Sequence, residues 1–349
     1  MTTKKTTFFL TAVLALQVGV GLPQAKKTQE SAKKATPSLS ELILGGKISE
    51  AVKLAAKQPE AAETALNTLM ASSDTQITLR QIPEARANLE AARKFLDACE
   101  KAGQAKNLPA DALRGRELRL QGIILSDDKQ FDKAEAFLRQ ALDISKKAKD
   151  PALEAGIHNN LGYSLRNMNL LEEAVQEFES ACRMAEEQKD DLRAGSYNFN
   201  LGEVLQKMGR LELSLAAFKR SAEQNKVASR PNIEARATLM QGVVTSGLEP
   251  RGQAAVALFL EAASKFEKLG DNQNAGWSYM LLGDHVGYAM DFKRVVEYCE
   301  KAAPLLSKAG DKAGLLRCYN MLTDMYGRLG NIQKCEMYKK LSEELSNKK

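Results

Sequence analysis

Residues 151–190, PALEAGIHNNLGYSLRNMNLLEEAVQEFESACRMAEEQKD, are followed by residues 191–230, DLRAGSYNFNLGEVLQKMGRLELSLAAFKRSAEQNKVASR. The two blocks are copies of one pattern. Asn160-Leu161-Gly162 returns as Asn200-Leu201-Gly202 after 40 residues, Phe178 returns as Phe218, and Ala174 as Ser214. A fixed period of this size marks a repeat architecture, in which each unit buries its apolar face only against its neighbours.

The period extends in both directions. Small residues fall at Gly122, Gly162, Gly202, Gly242, Gly283 and Thr323, in steps of 40, 40, 40, 41 and 40. A second series falls at Ala134, Ala174, Ser214, Ala255, Val295 and Cys335, and turn signals recur at Asp150-Pro151, Asp190-Asp191, Arg230-Pro231, Gly270-Asp271 and Gly310-Asp311. Asp before a helix accepts orphan backbone N–H groups, Pro fits the first helical turn, and Gly suits a C-cap. Helical apolar periodicity dominates from Ser38 onward and no convincing strand is present. The expected fold is all-α: an α-solenoid, or superhelix, of stacked antiparallel helix hairpins. Glycine inside a helix costs roughly 1 kcal/mol against alanine, so its recurrence implies close approach of the paired helix. Phe178, Phe218 and Phe259 are expected to fill the grooves so formed.

Upstream the pattern is irregular over 38–109. Helices are expected at Leu39–Leu44, Ile48–Lys57, Pro59 to about Ser73 and Pro83 to about Ala102, with Ala85, Leu89 and Ala92 on a buried seam, before a break at Gly103–Pro109. The regular array is placed at 110–349.

The N-terminus differs from the rest. Lys4 and Lys5 precede an apolar run, Phe8–Leu22, too short for a membrane span and containing Gln17, which reads as a signal peptide over 1–25. A disordered basic linker over 26–37 follows. Export to a periplasmic or extracellular compartment is the expectation, with an uncleaved anchor as the alternative. No membrane insertion is expected after signal cleavage. Residues 1–36 hold six lysines against Glu30, so +5 of the net +6 lies there and the body is nearly neutral. A nucleic-acid binder would gather its cations on the folded surface, so no nucleic-acid partner is expected.

Residues Leu161-Gly162, Ala174, Phe178 and Ala181, and with Ser substitutions Leu201-Gly202, Ser214, Phe218 and Ser221, resemble the tetratricopeptide repeat. At about 40 residues per unit the chain is similar to the long-helix variety of kinesin light chains and bacterial Rap-type regulators. That resemblance implies a concave face lined by the first helix of each pair. On it the helical spacing places Arg116, Arg119, Asn159, Asn160, Tyr163, Arg166, Asn167, Asn200, Glu203 and Lys207, then Arg236, Met240, Trp277, Met280, Asp284, Tyr288, Asn320, Asp324 and Arg328. Asn side chains offer both donor and acceptor to an extended peptide, Arg suits carboxylates, and Trp277 with Tyr288 suits an apolar anchor. The Lys/Asn clamp of chaperone-binding members is not intact, the relevant pairs being Arg119/Ile123, Asn159/Tyr163 and Phe199/Glu203.

Chemistry is poorly represented. His158 and His285 lack a metal motif, no Walker A, GxSxG or GxGxxG pattern occurs, and no cofactor, metal or catalysis is expected. Of the five cysteines, Cys299 and Cys335 occupy seam positions, and any disulfide is expected within Cys299, Cys318 and Cys335. The function expected is a protein-interaction scaffold that takes a peptide or protein in the groove. The alternative is a regulatory module that controls a partner enzyme through a ligand-dependent change of the superhelix. Oligomeric state is left open.

Overall fold

The computed structural model describes residues 37–347, and the signal-peptide reading and nearly all of the linker lie outside them. Sixteen α-helices and one short 3-10 turn make up the described residues, with no strand among them. Helices α1 (Leu39–Leu44) and α2 (Ile48–Lys57) lead into the pair α3 (Pro59–Thr78) and α4 (Ile82–Lys101). Six units follow: α5 (Ala110–Asp127) with α6 (Phe131–Ala148), α7 (Pro151–Asn167) with α8 (Leu171–Glu187), and α9 (Asp191–Lys207) with α10 (Leu211–Val227). Then come α11 (Pro231–Leu248) with α12 (Gln253–Lys268), α13 (Asn272–Gly287) with α14 (Phe292–Lys308), and α15 (Lys312–Arg328) with α16 (Ile332–Asn347). Each helix packs on the next, and first helices of neighbouring units also touch, α5 with α7 and so on to α13 with α15. Successive second helices do not meet on that scale, so the stack closes up along the first-helix side.

The expected seams are present. A Cβ built on Gly162 would sit 2.9 Å from the Phe178 ring, on Gly202 2.7 Å from Phe218, and on Gly242 2.9 Å from Phe259. Such distances are too short for any side chain, so glycine is what lets the phenyl ring lie flat on the opposing backbone. The three rings are at most 2% exposed. Ala85, Leu89 and Ala92 are buried as expected.

Turn chemistry fixes the unit boundaries. Asp150, Asp190, Asp271 and Asp311 each accept a hydrogen bond from the backbone N–H three residues on, and Asp291, inside a unit, caps α14 in the same way. Gly270 and Gly310 adopt the left-handed conformation, at φ +71° and +69°. Lys149, Lys189 and Ser229 adopt it at the corresponding turns.

Three expectations need correction. Helix α3 runs to Thr78 rather than Ser73: Ile77 packs against the core in the extra turn, and the hydroxyls of Ser73, Thr75 and Thr78 are satisfied by carbonyls four residues back. Met280 belongs to the core, fully buried, rather than to the open face. Cys335 is half-buried rather than sealed in its seam.

Candidate functional site

The face shared by the first helices carries most of the side chains read from the sequence, and most of the polar ones are already engaged with one another. Arg116 donates to Asn67 at 2.9 Å and pairs with Asp150 at 3.5 Å. Arg119 donates to Asn160 and pairs with Asp74, each at 3.4 Å. Asn200 donates to Asn159 at 2.8 Å, and Arg166 pairs with Glu203 at 2.5 Å while lying over the Tyr163 ring. Every one of these bonds except the Arg166–Tyr163 contact joins one unit to the next. The Arg side chains thus hold carboxylates of this chain, spaced by one repeat. The result is a cross-linked ladder of alternating charge rather than an open basic strip.

Arg236 continues the ladder differently, its guanidinium 4.8 Å from the centroid of buried Phe199. Lys207 and Asn167 are exposed at the C-terminal ends of their helices, and Asn167 donates to the Tyr163 carbonyl. Met240 is half-buried.

The other end of the face opens into a hollow of about 710 Å³ between α13 and α15. Asp284, Tyr288, Asn320, Asp324 and Arg328, all expected on this face, line it together with Arg317, Met290, Phe292, Met321 and Met325. Gly283 and Gly287 contribute bare backbone to the wall. Arg317 bonds Asp284 at 2.5 Å, and Arg328 bonds Asp324 at 3.0 Å, so the charges around the rim balance in pairs. Burial raises the Asp284 carboxyl above its ordinary value, with Arg317 pulling the other way. Trp277 stands beside the hollow rather than in it. Its indole N–H donates to Asp311 at 2.7 Å, and the Arg317 guanidinium lies 5.9 Å from its ring. Tyr288 is 63% exposed.

This hollow lies over an unusual seam. The residue packed against the first-helix glycine is Leu138, Phe178, Phe218 and Phe259 in the first four units, but Cys299 against Gly283 in the fifth. The thiol is the smallest of the five, and a Cβ on Gly283 would stand 3.4 Å from it, in ordinary contact. Arg317 was within reach of sequence reasoning, because it lies six residues before Thr323, where the same helical register places Arg116 and Trp277. Met290 comes from the turn between α13 and α14 and Phe292 from the first residue of α14, and no first-helix register predicts them.

The histidines serve structure. His158 Nδ1 is 2.6 Å from Glu177 Oε2 of α8, a carboxylate partner supplied by the paired helix and invisible to local spacing. His285 is 3% exposed and uses both ring nitrogens, toward the Ser246 hydroxyl and the Gly252 carbonyl. Among the described residues no group of three or more His, Cys, Asp or Glu is placed to hold a metal ion, and no helix is long and apolar enough to cross a membrane.

Comparison with known proteins agrees with this architecture. Residues 120–147, 155–188 and 195–226 match the family described as tetratricopeptide repeat. No curated protein matches the chain in sequence. The apo form of RapI is similar in structure, with a TM-score of 0.66 at 15% identity over 81% of this chain and 77% of that one. A signal transduction ATPase with numerous domains, carrying a tetratricopeptide repeat sensor, from Pyrococcus horikoshii gives 0.64 at 14% identity over 87% and 47%. A Rap protein complexed with competence and sporulation factor gives 0.52 at 12% identity over 92% and 88%. At such identities the likeness is one of fold.

Proposed function

We propose that this chain, a tetratricopeptide-repeat protein of the long-helix kind, is an exported adaptor that binds a peptide or protein along its first-helix face without catalysing a reaction. The observation that carries the reading is the contrast between a self-paired ladder over α5–α9 and the hollow between α13 and α15. A preorganised groove lowers the ordering cost of binding. The ladder supplies that rigidity, and the hollow supplies a place for a partner's side chain. Its lining suits an apolar side chain: Phe292 and three methionines offer adaptable contact, and Asn320, whose Oδ1 accepts from the Ser342 hydroxyl at 2.6 Å, offers its amide N–H to the adjoining backbone. The Rap protein of similar fold, complexed with competence and sporulation factor, supports ligand binding by this architecture. The apolar run Phe8–Leu22 behind Lys4 and Lys5 supports export, and the near-neutral body supports a partner other than nucleic acid.

Selection of a displayed random-peptide library on the full chain tests this. An enriched motif with an apolar residue is expected, and Asn320→Trp, which fills the hollow from an exposed position, is expected to reduce binding of the selected peptides at least ~10-fold, a loss of about 1.4 kcal/mol. Absence of any enriched motif, or equal binding by the variant, overturns it.

A further inference from the structure

Among the five cysteines, one pair is in contact. Cys299 of α14 and Cys318 of α15 are both fully buried, in the core shared by the last units. The Cys318 thiol is 3.1 Å from the Cys299 carbonyl oxygen, to which it donates. The neighbouring Cys318 thiol and burial together hold the Cys299 thiol above its ordinary range. Cys335 is excluded from the pair by its place on the stack. It sits against Gly327, 3.7 Å from that residue's built Cβ. Gly327 is nine residues beyond Cys318 on the same helix, a rise of about 13 Å. Cys99 and Cys182 belong to the separate cores of earlier units.

We propose that Cys299 and Cys318 form a redox pair that closes to a disulfide, stapling the fifth unit to the sixth directly behind the groove hollow. The oxidant is a low-molecular-weight disulfide. The thiolate of Cys318 attacks one of its sulfurs, the oxidant's S–S bond breaks, and one thiolate leaves. The thiolate of Cys299 then attacks the Cys318 sulfur of the mixed disulfide and expels the second thiolate as the protein S–S bond forms. The two protons shed by the cysteines pass to the two leaving thiolates. One oxidant disulfide becomes two thiols while two protein thiols become one disulfide, so electrons and atoms balance.

Burial sets the kinetics. The attacking species is the thiolate, and a fully buried thiol is closed to the oxidant. The bond therefore forms when α14 and α15 separate transiently, during folding or local opening, and then persists. Its consequence reaches the groove through Gly283, which touches Cys299 on one side and lines the hollow on the other.

The test uses the full chain, reduced, then held with oxidised glutathione in denaturant just below the unfolding transition. After acid quench, complete unfolding and alkylation with N-ethylmaleimide, intact mass and a non-reducing peptide map are read. The expected result is three alkylated cysteines, one linked peptide pair containing Cys299 and Cys318, and five alkylated cysteines after reductant. Cys335→Ser is expected to retain the link and Cys318→Ser to lose it. Five alkylated cysteines without reductant, stable glutathione adducts instead of a link, or a link through Cys335, Cys182 or Cys99 each overturn the proposal. The parent's map decides this even where a variant folds poorly.

Discussion

The two ends of the first-helix face are built from the same helix pattern and behave differently. Over α5 and α7, Arg116, Arg119 and Arg166 each find a carboxylate or amide one unit away, and aromatic rings fill the seams beneath Gly162 and Gly202. Over α13 and α15, ion pairs of the same kind stand at the rim, but a thiol replaces the ring beneath Gly283 and space opens. In the fifth unit a smaller seam side chain and an open hollow thus occur together.

The largest expected effect separates the seams. Gly162→Leu drives a side chain into the face of Phe178 and is expected to cost about 3 kcal/mol, read as a lower urea midpoint at unchanged slope. An unaltered midpoint means the ring and glycine are not in contact. Next is the ladder. Arg166→Glu sets two carboxylates together and is expected to destabilise by about 1 kcal/mol, with Glu203→Arg in the same chain recovering most of it. Additivity of the two single changes in denaturation would show the pair to be uncoupled. Arg119→Glu with Arg166→Glu is expected to leave helicity intact by circular dichroism, and a loss of helicity would show that the ladder holds the helices themselves.

The fifth seam gives a smaller effect of opposite sign. Gly283→Ala meets Cys299 at an ordinary distance and gains helix propensity, so a stabilisation of about 0.5–1 kcal/mol is expected, whereas a destabilised variant would show the seam to be tight. The smallest is a slope. Asp284 is raised by burial, so its neutral form is favoured in the folded chain more than in the unfolded one. Its contribution to stability is complete below the ordinary value of 3.8 and is lost as pH rises through the raised folded value. The difference in melting temperature between parent and Asp284→Asn across that window is expected to follow this course, and a flat difference would contradict it.

Much of the fold was legible because it depends on spacing along one chain. Gly162, Phe178 and their repeats state the seam, and Asp150, Asp190, Asp271 and Asp311 state the boundaries, since a cap acts on its own neighbours. The left-handed turns at Lys149 and Lys189 were not legible, because there the fold imposes a conformation the side chain does not favour. The site was legible only in part. Register placed Asp284, Asn320 and Asp324 on the right face, but whether an Arg is free or spoken for depends on a partner one repeat away. Arg166 with Glu203 and Arg119 with Asp74 show that such pairing is decided by stacking, which no single helix encodes. The hollow is harder still, because it is a missing volume.

The chain's single tryptophan, Trp277, stands between Asp311 and Arg317, and Arg317 also borders the hollow. Indole emission is sensitive to exactly such neighbours, so the molecule contains its own optical reporter. Titrating an unlabelled ligand in a fluorimeter should register occupancy at that end of the stack and stay silent for binding confined to the other.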